Sequence, residues 1–181
     1  MRLGQSFHAY ASVIQRDIHR LENAQKEMYR LNMGGTAIGT AINVSHSYLQ
    51  HICPKIAELT GLPFVSADDL FDATQNLDGF VTVSSSLKTC AVNLSKLCND
   101  LRLLSSGPRT GFAEITLPPK QNGSSIMPGK INPVIPEVVS QVAFNIIGND
   151  CTITMAAEAG QLELMPSNRS SSIIYLNRLK P

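Results

Sequence analysis

Gly123-Ser124-Ser125-Ile126-Met127-Pro128-Gly129-Lys130-Ile131-Asn132-Pro133 is the stretch on which the reading of this chain turns. It sets two hydroxyls, a lysine and an asparagine among glycines and prolines. The glycines free the backbone to bend and to turn N–H groups inward, and Pro128 and Pro133 stiffen the bend. A loop of this make-up can hold a serine against converging N–H donors, with a cation and an amide close by. Proton abstraction from carbon beside a carboxylate needs such an arrangement: a base, and donors aimed at the oxygens on which charge develops. The same composition also describes an ordinary Gly/Ser/Pro surface loop.

Outward from this loop the chain is helical. Downstream, a helix is expected from Pro136, with proline at its first position and Glu137 in its first turn, where a carboxylate suits the dipole. It carries Val138, Val142 and Ile146 and runs past Gly148 to Ala157. Upstream, residues 107–135 read mostly as loop, with Phe112–Leu117 a short extended piece; a loop this long is more often functional than idle. Residues 79–105 form the clearest helix. Phe80, Val83, Leu87, Cys90, Leu94, Leu97, Leu101 and Leu104 recur at three and four and are read as core. Ala91, Val92 and Leu103 widen that face.

Further upstream, residues 4–31 read as one helix through Phe7, Ala11, Ile14, Ile18, Leu21, Met28 and Leu31. At 1.5 Å per residue it spans ~40 Å, natural for a bundle. Arg16, Asp17, Arg20, Glu22, Lys26 and Glu27 are placed on its other faces, and His8 and His19 on its surface. Residues 32–43 are small and flexible, but lack the Lys-Ser/Thr of a P-loop and the spacing of a dinucleotide fingerprint. A helix capped by Ser45 runs to about Leu59, stopped by Gly61 and Pro63, with Pro54 expected at a kink. Ser66 is expected to cap a short helical piece, Ala67–Thr74.

The 181 residues suffice for one domain with a core. Hydrophobic residues make up 43% and charged residues 16%, which suggests helices buried on several sides, hence an oligomer. A net charge of +1 gives no reason to expect nucleic acid or a membrane surface as partner. No apolar run approaches the ~20 residues of a membrane span. Cys53, Cys90, Cys98 and Cys151 lack metal-type spacing and read as residues of a reducing, cytoplasmic environment.

G-S-S-I-M-P-G-K-I-N-P resembles the signature loop of the fumarase/aspartase superfamily, lyases that eliminate ammonia, water or an amine to give fumarate. The following Val134-Ile135-Pro136-Glu137-Val138-Val139 resembles the aspartase branch more than the fumarases, as does Asp72-Ala73-Thr74-Gln75-Asn76. In residues 32–43 the family often has glycine where this chain has Ala41. The resemblance implies an all-α long-helix bundle, the central domain of the superfamily over residues 1–164, truncated at both ends. It implies Ser124 as the catalytic base that takes a proton from Cβ of L-aspartate. Ser125, Ile126 and Met127 would hold the resulting dianion, Lys130 and Asn132 would grip a substrate carboxylate, and Glu137 would orient a histidine of another subunit. No metal or organic cofactor is implied. Family members are homotetramers in which each active site draws on three subunits, so the 181-residue product alone is expected to be inactive. The rivals are another superfamily lyase, such as fumarase, and a non-catalytic helical oligomerisation remnant.

Residues 165–181 depart from the family pattern. After Glu158-Ala159-Gly160-Gln161-Leu162-Glu163-Leu164 the family continues with another bundle helix, whereas Met165–Pro181 shows no helical pattern. A single-nucleotide deletion near codon 165, real or a sequencing error, is expected, with a natural disordered terminus as the alternative, and Met1 is expected to be an internal or misassigned start.

Overall fold

Small and apolar residues recurring every three or four positions wind most of the chain into helices. The computed structural model describes residues 2–163. In chain order these form α1 (Leu3–Gln25), a 3₁₀ turn (Lys26–Tyr29), β1 (Arg30–Leu31), α2 (His46–Thr60), β2 (Val65–Ser66), α3 (Asp72–Gln75), α4 (Asp78–Leu104) and α5 (Val134–Glu158). The fold is all-α and dominated by long helices, as expected. Residues 165–181, expected to depart from the family pattern, lie outside the described residues.

The chain divides into two compact units, one of residues up to Asp17 with Leu87–Gly148, the other of Ile18–Ser86 with the residues from Asn149. In the first unit, Tyr10 Oη donates to Asp100 Oδ2 at 2.8 Å. Lys96 bonds the same carboxylate and lies 5.7 Å from the Tyr10 ring centroid. Burial alone would raise the Asp100 carboxyl, but the bonds from Lys96 and Tyr10 overcome it and hold it below the ordinary carboxylate value. Burial and the Asp100 carboxylate together push the Tyr10 phenol up. Asp17, only 2% exposed, accepts from Asn93 Nδ2 at 2.9 and 3.0 Å. The sequence reading had put Asp17 on an outer face; a hydrogen-bond donor on α4 permits its burial.

In the second unit, Ser84 donates to the buried Asp150 at 2.7 Å, and Ile153 is almost wholly enclosed, worth roughly 1.5–3 kcal/mol for such a side chain. Tyr29 and Phe64 meet edge to face at 5.6 Å. Arg30–Leu31 pairs in parallel with Val65–Ser66. That pairing corrects the long helix expected over 4–31: α1 ends at Gln25, and residues 30 and 31 are extended because their backbone groups bond a distant segment.

Several other expectations shift. The fully buried positions of α4 are Ser84, Ala91, Ser95 and Cys98, each one place beyond a member of the large apolar stripe. Small side chains let backbones approach closely, so they lie deepest and the larger residues flank them. Phe7, Ile18, Val92, Leu94, Leu103, Val138 and Val142 are exposed. α5 begins at Val134 and not Pro136, which the free N–H groups of a first turn allow. Phe112–Leu117 forms no strand: Ala113 and Glu114 donate to Ser106 and Leu104 carbonyls at the end of α4. Asp69, not Ser66, anchors the short helix, accepting from Phe71 and Asp72 N–H at 2.8 and 3.2 Å. Ser45 caps α2 as expected, accepting from Tyr48 N–H, and Gly61 closes it at φ 68°. α2 runs through Pro54. None of the four cysteines forms a disulfide, and burial pushes the thiols of Cys53 and Cys98 up, which makes them poor nucleophiles.

Candidate active site

The loop between the end of α4 and the start of α5 closes on itself. Ser124 N–H donates to the Lys130 carbonyl at 3.1 Å, and Lys130 N–H donates to the Met127 carbonyl at 3.1 Å. The second bond spans Met127-Pro128-Gly129-Lys130, with Gly129 at φ 83°. Proline second and a positive-φ glycine third are the requirements of a type II turn. Inside the ring so formed, Ser124 Oγ accepts from Ile126 N–H and from Met127 N–H, both at 3.2 Å. Hydrogen bonds of this kind favour the anionic form of the group that accepts them. The ring therefore presents a half-buried hydroxyl with two amide donors already aimed at its oxygen.

The expected site residues fall into three groups. Ser124, Ile126, Met127 and Lys130 are brought together, but the bonds that tie Lys130 to Ser124 belong to its backbone. Asn132 lies beyond the ring, where its carbonyl accepts from Val134 N–H at 2.9 Å. It lines a cleft of about 410 Å³ with Gly129, Ile131, Pro133 and the segment Ile115–Pro119. Ser125 is exposed at the rim, and Glu137 is half-buried in the first turn of α5, its N–H bonded to the Pro133 carbonyl at 3.2 Å. Ile126 stands 87% exposed at the loop tip.

Elsewhere the residues singled out in the sequence have structural partners. His19 meets Glu22 at 3.1 Å on the surface, and the Nδ1 of His51 lies 2.6 Å from the Ser47 carbonyl. Asp72–Gln75 is α3, with Asn76 Nδ2 donating to Asp72 Oδ1 at 2.6 Å. Gly39 packs so tightly against Leu70 and Phe71 that a Cβ would lie 2.3 Å from Phe71 Cα, so close packing explains this glycine. Ala41 adopts a left-handed φ of 54°. A second cleft, of about 310 Å³, is lined by Glu27, Arg30, Asp68, Asp69, Asp72 and Asp78. The sequence reading missed it, although the carboxylates clustered over residues 68–78 were the available signal. Among the described residues no cluster of three or more His, Cys, Asp and Glu side chains could hold a metal ion, and no helix is long and apolar enough to cross a membrane.

Long helices and a serine-bearing ring of this sequence define a class, the helical lyases, and the lyase family profile matches residues 1–148. The chain belongs to that family, within the fumarase/aspartase superfamily. It is 55% identical over 180 residues to the aspartate ammonia-lyase of Bacillus subtilis (strain 168), covering 99% of this chain and 37% of that enzyme. Against the aspartate ammonia-lyase of Helicobacter pylori (strain ATCC 700392 / 26695) it is 58% identical over 164 residues, covering 91% of this chain and 35% of the relative. Among solved structures, a cobalt-bound fumarate lyase:delta crystallin from Brucella melitensis superposes with a TM-score of 0.92 at 48% identity, covering 97% of this chain and 38% of that one. A class II fumarase from Schistosoma mansoni gives a TM-score of 0.91 at 36% identity, covering 99% and 40% respectively. The chain thus spans little more than a third of the length of the curated relatives it matches.

Proposed function

We propose that this chain is the central part of an aspartate ammonia-lyase, which eliminates ammonia from L-aspartate to give fumarate, with Ser124 as the base. The observation that carries the reading is the pair of backbone N–H groups on Ser124 Oγ. A serine hydroxyl is a weak base unless its anion is stabilised, and two amide dipoles supply that stabilisation without reorganising. The alkoxide takes a proton from Cβ, and the C–H electron pair moves into the adjacent carboxylate as an aci-carboxylate dianion. Collapse of that dianion forms the Cα–Cβ double bond and breaks the C–N bond, and ammonia leaves with the pair. The serine then returns its proton to solvent or to the departing ammonia. Lys130 and Asn132 hold a substrate carboxylate, the lysine as a point charge and the asparagine as a hydrogen-bond donor. Ser125, Ile126 and Met127 face the developing dianion, and Glu137 orients a histidine of another subunit. The exposed apolar faces of α1, α4 and α5 support a homotetramer. Because the remaining parts of such a site come from elsewhere, the 181-residue chain by itself is inactive.

The test exchanges residues 2–163 into the matching region of the Bacillus subtilis relative and follows fumarate by its ultraviolet absorbance. The chimera is expected to turn over aspartate, with Ser124→Ala at least ~100-fold slower, as befits loss of a general base. An assembled Ser124→Ala chimera with near-full activity would remove serine from the role. Fumarate formation by the isolated chain would overturn its proposed inactivity. The likeness to a fumarase favours a second reading, hydration of fumarate to malate; turnover of malate with none of aspartate would select it. A well-assembled chimera inert towards both would mark the segment as a non-catalytic oligomerisation element.

A further inference from the structure

We infer that Gly123 is a positioning residue for Ser124, a role that rests on the reading of Ser124 as the base. The two glycines of the loop do different things. Gly129 has a left-handed φ of 83° and nothing within 4 Å of where a Cβ would stand, so it serves the turn alone. Gly123 is not among the residues with positive φ, so its backbone shape does not require glycine. What its missing side chain provides is room: a Cβ there would lie 3.2 Å from the Lys130 carbonyl oxygen and 3.7 Å from Ile131 Cγ1. That carbonyl oxygen is the acceptor that closes the ring through Ser124 N–H at 3.1 Å.

A methyl at position 123 would push the carbonyl away by a few tenths of an ångström. The displacement reaches Ser124 through its own amide. The bonds from Ile126 and Met127 to Ser124 Oγ, at 3.2 Å, already sit at the long end of the useful range. They have little slack to absorb it. Weaker donors destabilise the alkoxide, so the hydroxyl would lose its proton only at higher pH.

Gly123→Ala is compared with Ser124→Ala in the active chimera. Gly148→Ala is the control, in α5 where a Cβ meets nothing within 4 Å. Gly123→Ala is expected to lower kcat about tenfold to a hundredfold, up to the effect of losing one oxyanion donor, with KM little changed. Its kcat–pH profile should move alkaline by about one unit, so that activity partly returns at higher pH. A merely structural role would scale kcat down equally at every pH. In the 181-residue chain, the Ile126 and Met127 amides should exchange roughly tenfold faster after Gly123→Ala than after Gly148→Ala, as bonds this exposed open readily. Wild-type kcat and pH profile in Gly123→Ala, with Ser124→Ala inactive, would sink the positioning role alone. Full activity in Ser124→Ala would sink the proposed function and this inference with it.

Discussion

Replacing Asn93 with alanine removes the amide that faces a carboxylate only 2% exposed, Asp17. Asn93 Nδ2 lies 2.9 and 3.0 Å from the two Asp17 oxygens, so the variant takes away a charge-assisted bond from a dry site. Such a bond contributes roughly 1.5–3 kcal/mol. Alanine gives back about 0.5 kcal/mol through better helix propensity in α4. The expected net loss is about 2 kcal/mol, read as a lower urea midpoint with an unchanged slope. Protein concentration is held fixed, because any self-association would couple to unfolding. Lys55→Ala serves as the contrast: its bond to Glu58 at 2.9 Å joins side chains 58% and 68% exposed, and an ion pair so wet is worth little. If Asn93→Ala costs no more than Lys55→Ala, the Asn93–Asp17 bond contributes nothing and the reasoning from burial is wrong.

Ala41→Gly should raise the urea midpoint by the equivalent of a few tenths of a kcal/mol. It removes a left-handed alanine at φ 54°, worth ~1–2 kcal/mol, against the larger chain entropy of glycine, ~0.5–1 kcal/mol; a drop in stability would refute the strain. Tyr10→Phe should cost on the order of 0.5–1 kcal/mol near neutrality, a magnitude suited to a partly exposed network. Asp100 is held below its ordinary value by Lys96 and Tyr10, so its share of stability is present above that ordinary value and fades as pH falls through the folded one. The raised Tyr10 phenol stabilises below its ordinary value and ceases to do so as pH rises through the folded one. The gap between wild type and Tyr10→Phe should therefore be widest at neutral pH and narrow towards both extremes. A pH-independent gap in denaturation midpoints would show that the phenol–carboxylate bond contributes nothing.

The helices were legible because their apolar residues repeat locally. The expected 79–105 and the observed Asp78–Leu104 differ by one residue at each end, and Ser45 and Gly61 mark the ends of α2 by their own chemistry. Which face lies deepest was not legible. The sequence reading followed the large residues, yet Ser84, Ala91, Ser95 and Cys98 lie innermost on α4, because helix approach rewards small side chains that carry no hydropathy signal. The end of α1 was hidden for another reason. Nothing local in Arg30–Leu31 announces a partner at Val65–Ser66; only the folded chain brings them together. In the loop, glycine and proline foretold the bend, and Ser124 foretold an oxygen that accepts N–H groups. That Lys130 would close the ring through its backbone could not be read from a side chain.

Ser124, Ile126 and Met127 are almost consecutive, so the oxygen and both of its donors occupy four positions of one covalent strand. Any swing of the segment as a body carries all three along with their mutual distances intact. The donor geometry at that oxygen is thereby insulated from where the segment happens to dock. Relocation alters what the oxygen can reach while leaving those two hydrogen bonds in place.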